Sequence, residues 1–160
     1  MRYLKYVKGD CNNGDGLRNV VWLSFCSHGC KGCFSKSTWG DGGTEVTEGF
    51  ISKILSDLDK PYIKGITFSG GDPLHKRNYQ EVISLCRRIK KELPEKDIWL
   101  YSGYTYSEIK NDLLRQPILD TIDFLMDGKY EHSLPTTKHF RGSDNQILHT
   151  IVDGISISQN

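Results

Sequence analysis

Four apolar runs of strand length punctuate the chain, and each gives way to a loop built on glycine or cysteine. VVWLSF (Val20–Phe25) runs into a cysteine loop, GITFS (Gly65–Ser69) into Gly70-Gly71-Asp72-Pro73, IWLY (Ile98–Tyr101) into Ser102-Gly103-Tyr104, and IDFLM (Ile122–Met126) into Asp127-Gly128. Between the runs the apolar period lengthens to that of a helix. Phe50, Ile51, Ile54, Leu55 and Leu58 make one stripe, opened by Thr47-Glu48 and closed by Pro61. Val82, Ile83, Leu85, Cys86, Ile89 and Leu93 make a second, and Tyr106, Ile109 and Leu113 mark a short third helix. Such alternation predicts βα units on a largely parallel sheet. A complete eight-stranded barrel needs roughly 200 residues or more, and the chain has 160. The expected fold is α/β, an open, partial (βα) barrel of about five mainly parallel strands in a single domain over residues 1–160. Ile147–Ile157 would supply the remaining short strand, and Tyr130–Asn145 reads as polar and irregular.

In α/β folds ligands sit at the carboxyl ends of parallel strands, so the loops after the four runs are where chemistry is expected. The first of them is CSHGCKGCF (Cys26–Phe34). Three of the five cysteines crowd into it, too tightly for an ordinary disulfide framework, and in a chain with no secretion signal clustered thiols read as metal ligands. Cys26, Cys30 and Cys33 have the spacing C-x3-C-x2-C. Gly29 and Gly32 let so short a loop wrap, and three thiolates suit a four-iron cluster. Three ligands leave one iron without a protein partner, which is the signature of an open, reactive site rather than a closed structural one. A zinc site using the same thiols with His28, His75 or Cys11 stays open on spacing alone, because thiolates suit both metals. Cys86 falls on the apolar stripe of the second helix and reads as core. Cys11 reads as a free thiol, or as a fourth ligand that would close the open iron.

Lys and Arg number 21 against 20 Asp and Glu, a net charge of +1, so no global field gathers nucleic acid or an anionic membrane. MRYLKYVKGD lacks the apolar core of a secretion signal, and no apolar run approaches the ~18 residues of a membrane span. These features predict a soluble, cytoplasmic protein.

CSHGCKGCF resembles the cluster motif of the radical S-adenosylmethionine enzymes, and FSGGDP (Phe68–Pro73) is similar to their glycine-rich loop against the methionine amino group. More narrowly, NGDGLR (Asn13–Arg18), CSHGCKGCFSKSTW (Cys26–Trp39), FSGGDPLH (Phe68–His75), DIWLYSGYT (Asp97–Thr105), DFLMDGKY (Asp123–Tyr130) and FRGSDNQ (Phe140–Gln146) occur in the order that resembles the activating proteins of anaerobic ribonucleoside-triphosphate reductases. Two departures are conservative: Gly14-Asp15-Gly16 where that family often has Gly-Pro-Gly, and Ser102 where threonine is usual. The resemblance implies a shortened radical S-adenosylmethionine barrel carrying a [4Fe-4S] cluster. S-adenosylmethionine would chelate the open iron, and one electron would cleave its sulfonium C–S bond to methionine and a 5'-deoxyadenosyl radical. That radical would take hydrogen from a glycine Cα of the reductase large subunit, making the chain a glycyl-radical-generating activase. A flavodoxin-like donor would supply the electron.

By the same resemblance Cys26, Cys30 and Cys33 are the catalytic and metal-binding residues. Gly32, Cys33 and Phe34 would lie against the cofactor, the Phe34 ring facing adenine. Gly70 and Gly71 would allow close approach of its methionyl end. Asp72 would accept from its ammonium group or, alternatively, cap the following helix. The Ser102-Gly103-Tyr104 and Asp127-Gly128 turns are either further contacts or ordinary turns. Arg141 would bind a carboxylate through its planar fork, dock the reductase or pair with an acid; Arg18 has a functional and a structural reading too. His28 would donate to a cluster sulfide or face solvent, and Trp39 and Trp99 are assigned to packing. Two further classes stay open, a small radical enzyme acting on a metabolite and a non-catalytic zinc module; FRGSDNQ and DFLMDGKY favour the activase over the former. An open barrel needs a partner to exclude water from a radical, and the reductase's glycine loop would fill that role.

Overall fold

The structure, a computed structural model, describes residues 1–159. Its strands are β1 (Arg2–Asp10), β2 (Arg18–Leu23), β3 (Thr44–Glu45), β4 (Gly65–Gly70), β5 (Asp97–Tyr101), β6 (Phe124–Asp127), β7 (Ile147–Val152) and β8 (Ile155–Gln159). The helices are α1 (Glu48–Leu58), α2 (Tyr79–Glu92) and α3 (Tyr106–Asn111). Among the described residues the strands form one mixed sheet in the order β3-β1-β2-β4-β5-β6-β7-β8. Four central strands, β2, β4, β5 and β6, are parallel. They are the four runs read from the sequence.

Their side chains alternate between two faces, as strand geometry requires. Val21, Leu23, Ile66, Phe68, Ile98, Leu100 and Leu125 point to one side, where Ile54, Leu55 and Leu58 of α1 and Val82, Leu85, Cys86 and Ile89 of α2 close the core. Burying each of these large side chains stabilises the fold by about 1.5–3 kcal/mol. The opposite face carries Trp22, Ser69 and Tyr101 near the carboxyl ends of three adjacent strands. Helices thus cover one face and leave the other to loops.

Helix ends follow the sequence signals. The Thr47 hydroxyl accepts from Phe50 N (3.3 Å) at the start of α1, and Thr105 with Glu108 forms a reciprocal capping box on α3.

The expectation of about five mainly parallel strands is corrected to four parallel strands inside a mixed sheet of eight. Arg2–Asp10, a segment given no element from the sequence, is a nine-residue strand antiparallel to β2. Its register shifts between Tyr3 and Lys5 and between Val7 and Asp10, and such bulges break the two-residue alternation by which a strand is recognised. Ile147–Ile157 is not one strand but a hairpin, turned at Asp153 (φ 49°) and Gly154 (φ 74°). Aspartate followed by glycine is the preferred pair for that turn. The third helix stops at Asn111, leaving Leu113 85% exposed rather than on its buried stripe. No helix among the described residues is long and apolar enough to cross a membrane.

Candidate metal centre and cofactor cavity

A cavity of about 400 Å³ opens where the parallel strands end. Cys26, Cys30 and Cys33 all line it, with Gly70 and Gly71 after β4, Ser102 and Gly103 after β5, and Gly128 after β6. The cysteine loop leaves β2 through Phe25, whose φ is +71°. Phe25 N donates to Gly40 O (3.0 Å) and Cys26 N to Trp39 O (3.2 Å), closing the loop at its base. Gly29 and Gly32 take positive φ (66° and 73°), and Cys33 N donates to Cys30 O (3.2 Å) to make the turn between the last two thiols.

Burial pushes the Cys26 thiol up to about 11, and the neighbouring charges of Asp72, Cys30 and Cys33 push the same way, while the His28 amide donating to it pulls down. Among the described residues no three His, Cys, Asp or Glu side chains converge to hold a single ion. Three thiols bordering one cavity beside glycine backbone are a donor set that suits an iron-sulfur cluster.

Of the residues expected at the cofactor, Cys33, Phe34, Gly70 and Gly71 border this cavity, whereas Gly32 and Asp72 do not. Phe34 is 81% exposed at the mouth and packs at a tilt on Tyr130, 5.0 Å between centroids. The two glycines have a steric reason distinct from ligand approach. A Cβ on Gly70 (φ 102°) would lie 2.7 Å from Leu23 N and O, and one on Gly71 would collide with Phe25 O. Alanine at Gly70 is accordingly expected to cost about 2–3 kcal/mol, because strain and a backbone clash coincide. Thermal unfolding checks it; a midpoint like that of the unmodified chain would refute the packing account.

Asp72 is 1% exposed and saturated. Its Oδ1 accepts from Leu74 N (2.7 Å) and its Oδ2 from Gly103 N (3.1 Å) and His28 Nε2, while Ser102 Oγ donates at 3.1 and 3.2 Å. Asp72 does not cap the following helix, since α2 starts at Tyr79 with Asn78 as its N-cap; its Oδ1, accepting from Leu74 N, closes a local turn instead. His28 does not face solvent, its side chain being 7% exposed. Asp127 turns from the cavity, accepting from Tyr106 N (2.6 Å) and lying 3.1 Å from His149 Nε2.

Several lining residues had no site role assigned from the sequence, although Asn13, Ser69 and Tyr101 lie within the motifs quoted above. Trp22, Ser69 and Tyr101 come from the sheet face, and Asn12 and Asn13 from the turn before β2. Trp39, assigned to packing, is half-buried on the cavity wall, whereas Trp99 is buried against Phe124 and Phe140. Arg141 lines the cavity from the loop after β6, a loop braced by Gln146, which accepts from Gly142 N (2.7 Å) and donates to Gly128 O (2.9 Å). Arg18 lies elsewhere, fully buried at the amino ends of the strands and paired with Asp97.

A thiol-lined, aromatic-walled cavity at the ends of four parallel strands is the setting of a single-cluster iron-sulfur domain, and the profile of the 4Fe-4S single cluster domain matches residues 12–149. The chain is also 42% identical over 156 residues to the anaerobic ribonucleoside-triphosphate reductase-activating protein of Enterobacteria phage T4, covering 97% of both chains. Proteins of the same name from Pasteurella multocida and Escherichia coli are 41% and 39% identical over 153 residues, covering 93% of this chain and 97% and 98% of theirs. The chain belongs to this family of reductase-activating proteins.

Proposed function

We propose that the chain activates an anaerobic ribonucleoside-triphosphate reductase as a radical S-adenosylmethionine activase. The observation that carries the reading is that Cys26, Cys30 and Cys33 all border one cavity at the carboxyl ends of the parallel strands. These three thiols would hold a [4Fe-4S] cluster with one iron left open. When bound, the cluster and S-adenosylmethionine would supply the chemistry: one electron from a flavodoxin-like donor, cleavage of the C–S bond, and hydrogen abstraction from a glycine Cα of the reductase.

The chain's own residues bind, orient and exclude water. Trp22, Trp39, Tyr101, Phe140 and Tyr130 give the cavity flat apolar walls suited to a nucleoside. Ser69, Asn12, Asn13 and Arg141 supply polar contacts on the same walls, and the planar fork of Arg141 suits a carboxylate. Cys33, Phe34, Gly70 and Gly71 would border the cofactor. The one-sided cover of the sheet supports a partial barrel whose open side the reductase's glycine loop completes, excluding water from a reactive intermediate.

The test is anaerobic reconstitution with iron and sulfide, reduction, and electron paramagnetic resonance with and without S-adenosylmethionine. A reduced-cluster signal that changes with the cofactor, followed by a glycyl radical on added reductase, is the expected result. Bound zinc with no such signal would overturn the reading.

A further inference from the structure

We propose that His28 is a positioning residue whose ring plugs into a socket built by Asp72, Ser102, Gly103 and Tyr104, locking the thiol-bearing loop to the ends of β4 and β5. The inference rests on the reading of the three thiols as cluster ligands, and it assigns Asp72 to the socket rather than to the cofactor.

Four observations build the socket. His28 Nε2 meets Asp72 Oδ2, with the two side chains 7% and 1% exposed. A carboxylate offers about four acceptor sites, and Leu74 N, Ser102 Oγ, Gly103 N and His28 fill them, so no site is left for an ammonium group. Gly103 makes the room: a Cβ there would lie 2.6 Å from His28 Nε2. Tyr104 closes the side with its ring edge-on to the imidazole at 4.7 Å, and its amide donates to Ser102 Oγ (3.2 Å).

The consequence is mechanical. Ser27, Gly29, Lys31 and Gly32 are exposed, and His28 is the buried side chain between the first two thiols. A buried hydrogen bond to a charged group is worth more than a neutral one, and this one ties the cysteine loop, the Gly70-Gly71-Asp72 loop and the Ser102-Gly103-Tyr104 loop into one unit. The thiols and the cavity walls opposite them then hold a fixed relation, as positioning of a reacting ligand requires. It also gives the Ser-Gly-Tyr turn a reason that neither a ligand contact nor an ordinary turn supplies.

Gly103→Ala is the sharpest probe, because it removes no hydrogen-bonding group and acts through the space the imidazole occupies. The full-length chain, its His28→Ala, His28→Gln and Gly103→Ala variants and the His28→Ala/Gly103→Ala double variant are compared in two ways. Trypsin reports opening of the loop by cleavage after Lys31, before and after reconstitution. The reduced cluster reports its geometry by its paramagnetic resonance line shape and midpoint potential. Cleavage is expected to rise roughly tenfold in His28→Ala and in Gly103→Ala, with a shifted signal and potential in both. His28→Gln, which keeps a donor, recovers part of each. In the double variant Gly103→Ala adds nothing, since the ring it displaces is gone. Additive effects, or single variants matching the unmodified chain in cleavage and spectrum, would overturn the socket. Failure of the unmodified chain to take up iron would sink the cluster reading instead, while the proteolysis comparison still decides the socket.

Discussion

Alanine at any one of Cys26, Cys30 or Cys33 is expected to abolish retention of iron and sulfide, whereas alanine at Cys11 or Cys86 leaves both at the unmodified level. The asymmetry follows from placement rather than from cysteine chemistry as such. The three loop thiols border one cavity, and a cluster held by only three thiolates would not keep its place on two. Cys86 is fully buried on α2 among core residues, and burial pushes its thiol up to about 12, which makes it inert. Cys11 is exposed and does not line the cavity, although its neighbour Asn12 does. Iron and sulfide per chain, measured after anaerobic reconstitution and desalting, decide the matter. A single loop variant that holds full stoichiometry would remove that thiol from the ligand set, and loss in Cys11→Ala would make the site a closed one.

Arg18→Met is expected to lower stability by about 3–5 kcal/mol, the usual cost of orphaning one partner of a buried ion pair. For a chain of this size that is a fall of roughly 10 °C in the unfolding midpoint. Arg18 is 0% exposed. Its Nε donates to Thr67 Oγ1 (2.7 Å), its Nη1 to Asp15 O (2.6 Å) and its Nη2 to Ile66 O (3.2 Å) and the Asp97 carboxylate, while the guanidinium lies 5.2 Å from the centre of the Trp99 ring. It thereby staples β2, β4 and β5 at their amino ends. Burial pushes the Asp97 carboxyl above its ordinary range and Arg18 pulls it back. Desolvation is thus the larger effect, so a double Arg18→Met/Asp97→Leu variant should recover part of the loss. Iron per folded chain should stay unchanged, because the pair sits at the opposite ends of the strands from the thiols. Unfolding followed by circular dichroism tests the first claim; a midpoint within a degree or two of the unmodified chain would refute it.

The four parallel strands, the first two helices and the cysteine loop were legible in the chain because each is specified locally. A buried parallel strand is a short apolar run, a surface helix is an apolar stripe, and three thiols within eight residues have few other uses. The antiparallel margins were not legible to the same degree. β1 alternates imperfectly across its two bulges, so its hydrophobic pattern cancels, and the β7–β8 hairpin hides its turn in a single Asp-Gly pair. Sequence likewise left Arg18, His28 and Asp72 with two readings each, and the Gly-Gly pair was read for ligand approach alone. Which reading applies depends on partners far along the chain: Asp97 for Arg18, Asp72 and Gly103 for His28, the backbone of Leu23 and Phe25 for Gly70 and Gly71.

What the sequence determined by itself, then, is the local chemistry: three thiols on one short loop at the end of a strand. What only the tertiary structure decided is the walls of the cavity, drawn from Asn12 to Gln146, and the difference between residues that face it and residues that hold it in shape. Periodicity and spacing act over a few residues, where one strand or one loop sets the geometry. The direction of a buried polar side chain is set by whichever donors and acceptors the fold brings to it, and those arrive from across the sheet.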